Sequence, residues 1–272
     1  MSSHPLTEPC SPPPAPPRKT LERETATELG GPPPAPRRRT PGGETPTESA
    51  DRHRIEFATS RSLAHVSVLE LGTLWERSLR RARVPVKYSQ GYNPRPRMHF
   101  AAPLPVGCGS DADLLDISLE IPWASDAIYQ ALEGMTPPDL AVLNVVPVPD
   151  STPALSEQLV ETEYCLWLRG VDRGTVESAV EELLAAESVL LPKRGRRHRG
   201  KTYDLRPLIK GLTVRPSPPS PWLELWMRLN AQPGATGRPD EVLKALKLPD
   251  VPRRCRRTRL ILAETDGNTR TD

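Results

Sequence analysis

The apolar residues of this 272-residue chain switch period in the same order twice, and that order limits the folds open to it. Ile55, Phe57 and Thr59 alternate, as in a half-buried strand. Leu71, Leu74, Trp75, Ser78, Leu79 and Ala82 then recur at three- and four-residue spacing, which predicts one helix face with Arg77, Arg80 and Arg81 outside it. Pro85 ends that helix, because a residue before proline is pushed out of the helical region. "VPVKYS" predicts a short strand, and a long loop follows it. Leu115, Ile117, Leu119 and Ile121 alternate with Asp116, Ser118 and Glu120, the pattern of a further strand. Ser125 then reads as the cap of a helix carrying Ile128, Ala131, Leu132 and Met135, and "LAVLNVVPVP" closes the series as a strand.

The second series repeats the first. "TEYCLWLRG" predicts a strand, Val176, Ala179, Val180, Leu183 and Leu184 a helix, and "VLLPKRG" a strand. After a basic insert, Leu223, Leu225, Met227 and Leu229 alternate with Glu224, Trp226 and Arg228. "PDEVLKALKL" predicts a short helix and "TRLILAE" the last strand. β-α-β-β-α-β, met twice, predicts an α+β fold of tandem ferredoxin-like repeats. The halves span residues 52–150 and 162–265, with a linker at 151–161 and a flexible C-terminus at 266–272.

Residues 1–51 stand apart. Runs such as "CSPPPAPPRKT" and "GGPPPAPRRRT" offer too little apolar surface to offset the entropy of ordering, so this Pro-rich segment reads as a disordered tail. No apolar core follows Met1 and no stretch reaches about 18 apolar residues, which predicts neither a signal peptide nor a membrane span and a cytoplasmic location. Cys10, Cys108, Cys165 and Cys255 lie far apart without a CxxC spacing. They read as buried or incidental thiols, with no metal site in this chain.

Net charge is only +3, but it is unevenly distributed. "KRGRRHRGK" holds six Lys/Arg in nine positions and "RRCRRTR" five arginines in seven, offset by acids that include Asp111, Asp113 and Asp116. The second run reads as a solvated edge of the last strand. The strongest chemical signal is the loop "KYSQGYNPRPRMHF" with the glycines beyond it. Gly91, Gly107 and Gly109 allow positive φ or close approach, while Pro94 and Pro96 lock the backbone around Asn93, Arg95 and Arg97. Guanidinium groups on such a stiff strip suit bidentate phosphate contacts, and flat rings such as Tyr92 suit unstacked bases. The expected nucleic-acid contacts are Lys87, Tyr92, Asn93, Arg95, Arg97 and His99 in the first loop. The second loop would add Lys193, Arg194, Arg196, Arg197, Arg199, Lys201 and Arg206. The bland alternative is a loop that covers a sheet edge. No residue carries a catalytic motif; His65 is the single candidate for general acid–base work.

The runs "SLAHVSVLELGTLWERSLRRARVPV", "VKYSQGYNPRPRMHFAAPLPVGCGSDADLLDISL" and "KTYDLRPLIKGL" resemble the radical-SAM-linked protein family, a domain of unknown function encoded beside or fused to a radical S-adenosylmethionine protein. The resemblance covers about Arg54 to Leu262. Where the family often has Ser-His-Leu-Asp, this chain has Ala64-His65-Val66-Ser67; where it has Gly-Phe-Asn-Pro-His-Pro, this chain has Gly91-Tyr92-Asn93-Pro94-Arg95-Pro96. The resemblance implies that the iron–sulfur cluster and S-adenosylmethionine reside on a radical SAM partner, with no cofactor in this chain. It also implies RNA as the anionic ligand. An accessory RNA-binding module is the leading expectation. The alternatives are a metal-independent endoribonuclease like those that process CRISPR transcripts, and a protein-binding scaffold.

Overall fold

The computed structural model describes residues 49–193, 200–215 and 221–263. The first half runs β1 (Ser49–Thr59), α1 (Val68–Arg81), β2 (Met98–Phe100), β3 (Cys108–Ala124), α2 (Ser125–Leu132) and β4 (Leu140–Pro147). A short α3 (Leu155–Gln158) leads into β5 (Leu159–Arg169), α4 (Arg173–Ala185) and the small hairpin β6 (Leu190–Pro192) and β7 (Thr202–Asp204). Then come β8 (Ile209–Arg215), β9 (Trp222–Gln232), β10 (Ala235–Thr236), α5 (Pro239–Ala245) and β11 (Arg253–Leu262). The chain is mixed α+β, and no helix among the described residues is long and apolar enough to cross a membrane.

Strand pairing is the same in both halves. β1 lies between β3 and β4 with β2 on the far side of β3, and β5 lies between β9 and β11 with β8 on the far side of β9. These pairs are antiparallel; the halves join where β11 runs parallel to β3, with Cys255, Arg256 and Arg257 opposite Cys108, Gly109 and Ser110. One nine-stranded mixed sheet results.

Helices α1, α2, α4 and α5 cover one side of it. Ile55, Phe57, Leu115 and Ile117 pack with Leu71, Trp75, Leu79, Ile128 and Leu132; Tyr164, Leu166, Leu225 and Met227 pack with Val176, Val180, Val242 and Leu243. Phe57 is opposite Asp113 but Thr59 is opposite Ser110, so β3 carries one extra residue there. That bulge keeps Cys108 and Ser110 on the same side as Asp113, Leu115 and Ile117. Because Cys108 belongs to the second core, the helices of both halves lie on the same side. The opposite side carries Arg52, Arg54, Asp116 and Ser118 in the first half and Trp167, Glu224, Trp226 and Arg228 in the second.

Local chemistry sets the element ends. Ser67 accepts from the Glu70 N–H while the Glu70 carboxylate accepts from the Ser67 N–H, a capping box that starts α1. Ser67→Ala is therefore expected to lower stability by about 1 kcal/mol, measured by urea unfolding. Ser125 is the first residue of α2 rather than its cap; Ala124 holds the cap position and makes no side-chain bond. His53 is fully buried on β1, and burial lowers its pKa. The folded chain thus favours neutral imidazole, so its contribution is present above the unfolded value of about 6.5 and lost as pH falls through it. The urea midpoint should fall between about pH 7 and pH 5, and fall less in His53→Leu.

Three strand expectations change. "VPVKYS" forms only isolated bridges, Val86 with Leu119 and Tyr88 with Pro96, rather than a strand. The segment read as a cationic insert after "VLLPKRG" contains β7 and a full sheet strand, β8. "RRCRRTR" forms most of β11 in the middle of the sheet, not a solvated edge. Asp111 pairs with Arg256, and Arg257 donates to the Asp113 carboxylate at 2.5 Å and to the carbonyls of Ala102 and Pro103 at 3.2 Å each. Strand register thus brings acids and arginines more than 140 positions apart in the chain into neighbouring positions, where mutual neutralisation permits burial. Burial pushes the Asp113 carboxyl up against the pull of Arg257. The cysteines change too: Cys108 and Cys255 are disulfide-bonded across this seam, their Cα atoms 4.6 Å apart, and Cys165 is buried. The span 151–161, read as a linker, contains α3, with Leu155 and Gln158 buried. Arg52 donates to the carbonyls of Thr152 and Pro153, so this segment lies over the side of the first half that α1 and α2 leave open. β1 begins at Ser49, within the span read as tail; residues 1–48 lie outside the described residues, as do 264–272.

Candidate nucleic-acid interface

The Pro-rich loop is an excursion from a single edge strand. Lys87 N–H donates to the Ser118 carbonyl and Ser118 N–H donates to the Arg97 carbonyl, so residues 85–87 and 97–100 follow one another along β3. Between them the chain doubles back. Arg97 N–H donates to the Lys87 carbonyl and Ser89 N–H to the Arg95 carbonyl, both at 2.8 Å, with Tyr88 bridged to Pro96. Ser89 Oγ also accepts the Arg95 N–H at 2.9 Å. Pro96 holds a position between ladder bonds, where its missing N–H removes nothing.

Strand alternation then sorts the side chains. Tyr88 and Pro96 point toward the C-terminal end of α1, where they line a cavity of about 150 Å³ with Leu79, Arg80, Arg83 and Val84. Met98 and Phe100 pack on the core, the Phe100 ring 6.2 Å from Phe57. Lys87, Ser89, Arg95, Arg97 and His99 fall on the other face, together. Of these, Lys87, Arg95, Arg97 and His99 are exposed. Among the described residues, Lys87, Arg95 and Arg97 enter no ion pair. Gly91, Tyr92, Asn93 and Pro94 form the exposed tip, with Tyr92 completely exposed.

Arg52 and Arg54 share the buried Asp116, reaching its carboxylate at 2.8 Å each. His99 is opposite Asp116 in the β2–β3 register, so the exposed cations flank this cluster. Sequence reading missed Arg52 and Arg54; their alternation with His53 and Ile55 is the signal that sets them on the side opposite α1 and α2.

The second loop divides. Lys193 and Lys201 are exposed and continue the β6–β7 hairpin, Lys193 N–H donating to the Lys201 carbonyl at 2.8 Å. Arg194, Arg196, Arg197 and Arg199 lie outside the described residues. Arg206 is not a free contact: its guanidinium donates to the Leu184 carbonyl at 2.9 and 3.2 Å and so ties down the last turn of α4. The cationic loop of each half therefore lies between its first helix and the edge strand beside the central pair, not between two full strands. Gly107 has φ of +86° and donates to the Ala64 carbonyl at 2.6 Å, a left-handed turn that suits glycine. Gly109 sits against Thr59, whose carbonyl oxygen would be 3.2 Å from an added Cβ. His65 is exposed beside Gly107, before the α1 cap.

Two solved complexes are similar to the chain at 10% identity and TM-score 0.42: a Cbf5–Nop10–Gar1 complex and an H/ACA RNP bound to a substrate RNA containing 2′-deoxyuridine. The alignments cover 76% and 80% of this chain and 48% and 54% of the chains matched, so it spans about half their length. No curated protein matches. Residues 52–239 match one family model, and the chain belongs to that family, described as an uncharacterized protein conserved in bacteria (DUF2344).

Proposed function

We propose that this protein is an RNA-binding accessory module, two ferredoxin-like repeats joined in one sheet, that holds RNA in the cytoplasm for a radical SAM partner. The observation that carries the reading is the set Lys87, Arg95, Arg97 and His99 on one exposed face of a backbone-braced hairpin. Polyanion binding rests on unneutralised cations. A stiff hairpin also leaves little entropy to lose on binding. The repeat reading is supported by the identical strand order of the halves. The partner is supported by the motif resemblance over Ser62–Leu119 and Lys201–Leu212. On this reading the iron–sulfur cluster and S-adenosylmethionine belong to the partner, and this chain binds and orients.

Fluorescence anisotropy with a short labelled RNA tests it. Arg95→Ala and Arg97→Ala are each expected to weaken binding about fivefold at low salt, and unchanged affinity in both would remove the reading. RNA is expected to stay intact with EDTA present; cleavage abolished by His65→Ala would replace the reading with an endoribonuclease.

A further inference from the structure

The helix-free side of the second half is built differently from that of the first. Along β5, Tyr164, Leu166 and Leu168 face the core, so Cys165, Trp167 and Arg169 face away from it. Along β9, Leu223, Leu225, Met227 and Leu229 face the core, so Trp222, Glu224, Trp226 and Arg228 face away. Register places Trp222 opposite Arg169, Trp226 opposite Cys165, and Arg254 of β11 opposite Trp167. Three half-buried indoles thus share one surface with arginines from four strands, Arg169, Arg215, Arg228 and Arg254.

Their packing is layered. The Arg254 guanidinium carbon lies 4.4 Å from the centre of the Trp222 ring and that of Arg169 5.8 Å; Arg215 lies 5.2 Å from Trp226. Gly211 provides the floor: an added Cβ there would come within 2.8 Å of the Trp226 ring, so only a bare backbone lets that indole lie against β8. Two acids on this surface are engaged, Glu224 with Arg215 and Glu161 with Arg228, and Glu163 lies on the same face of β5, opposite Arg228. Arg169 and Arg254, both exposed, stack on Trp222 and enter no ion pair among the described residues.

Flat rings alternating with guanidinium planes suit one ligand chemistry above others: unpaired bases strung on phosphates. Bases stack on indole or guanidinium faces, and the same cations meet the backbone. We propose that this Trp–Arg surface is a stacking platform for single-stranded RNA, distinct from the hairpin of the first half and on the same side of the sheet. It deepens the RNA reading and rests on it: the hairpin grips phosphates, and the platform makes the grip depend on exposed bases.

Two labelled probes separate these roles, an oligouridylate of about 12 nucleotides and an abasic oligomer with the same phosphates. The full chain should bind the first more tightly. Trp222→Leu and Trp226→Leu are each expected to lower affinity for the oligouridylate roughly tenfold and to leave abasic binding within about twofold. Lys87→Gln with Arg95→Gln should weaken both probes together. In the unaltered protein, oligouridylate should quench tryptophan emission saturably and the abasic oligomer should not, a readout independent of variant folding. Equal affinity of the unaltered protein for both probes, with no quenching, overturns the platform and leaves the hairpin reading standing. Failure to bind either probe at low salt overturns both.

Discussion

Arg257→Met is expected to lower the unfolding free energy by about 3–5 kcal/mol, because it leaves the Asp113 carboxylate buried without its cation. Both side chains are essentially inaccessible, at 0% and 2% exposure. The guanidinium also loses its bonds to Ala102 and Pro103, which tie the loop after β2 to the seam between halves. In a domain of this size the melting temperature should fall about 10 °C. The pH dependence is diagnostic. Burial already raises the Asp113 pKa, and removing Arg257 raises it further, so the orphaned carboxyl takes a proton on mild acidification. The deficit of the variant should be largest at neutral pH and shrink as pH falls. Arg257→Met combined with Asp113→Leu should recover most of the loss, since an apolar pair carries no desolvation cost. A double variant no more stable than the single would show that the pair is not the relevant interaction.

Trp75→Ala is the second large effect, expected at about 3–5 kcal/mol in urea unfolding. Trp75 is fully buried at the centre of the first core, its ring 5.1 Å from Phe57 in an edge-to-face arrangement. Truncation removes that contact and opens a cavity under α1, which the close-packed strands cannot fill. Trp75→Phe should be much milder. The indole N–H finds no acceptor among the described residues, so its removal relieves an unmet donor while most of the ring volume stays. A phenylalanine variant as unstable as the alanine variant would mean that the N–H is satisfied after all.

Where local period reports burial, the fold was legible. Ile55–Phe57, Leu115–Leu119 and Leu223–Leu229 announce their strands because each has one face on a helix layer. β11 defeats that logic. Its arginines read as solvent-facing, yet the strand is central, because Asp111 and Asp113 neutralise Arg256 and Arg257 from more than 140 positions away. No local window contains that pairing. β2 was obscured for another reason: a hairpin inserted between Lys87 and Arg97 divides one edge strand into pieces too short to show a period. The stiffness of the candidate site could be read from Pro94 and Pro96, while the shared face of Lys87, Arg95 and Arg97 needed the hydrogen-bond register. Arg206 looked like the neighbouring cations, and only the Leu184 carbonyl beside it assigns it a structural part.

The most direct measurement is the salt dependence of RNA binding for the unaltered chain and for the triple variant Lys87→Gln, Arg95→Gln and Arg97→Gln. If the hairpin face holds three phosphates of a single strand, the slope of log K against log salt should shrink by about 2, since each contact contributes about 0.7. Parallel lines of equal slope would place the phosphates elsewhere and contradict the account.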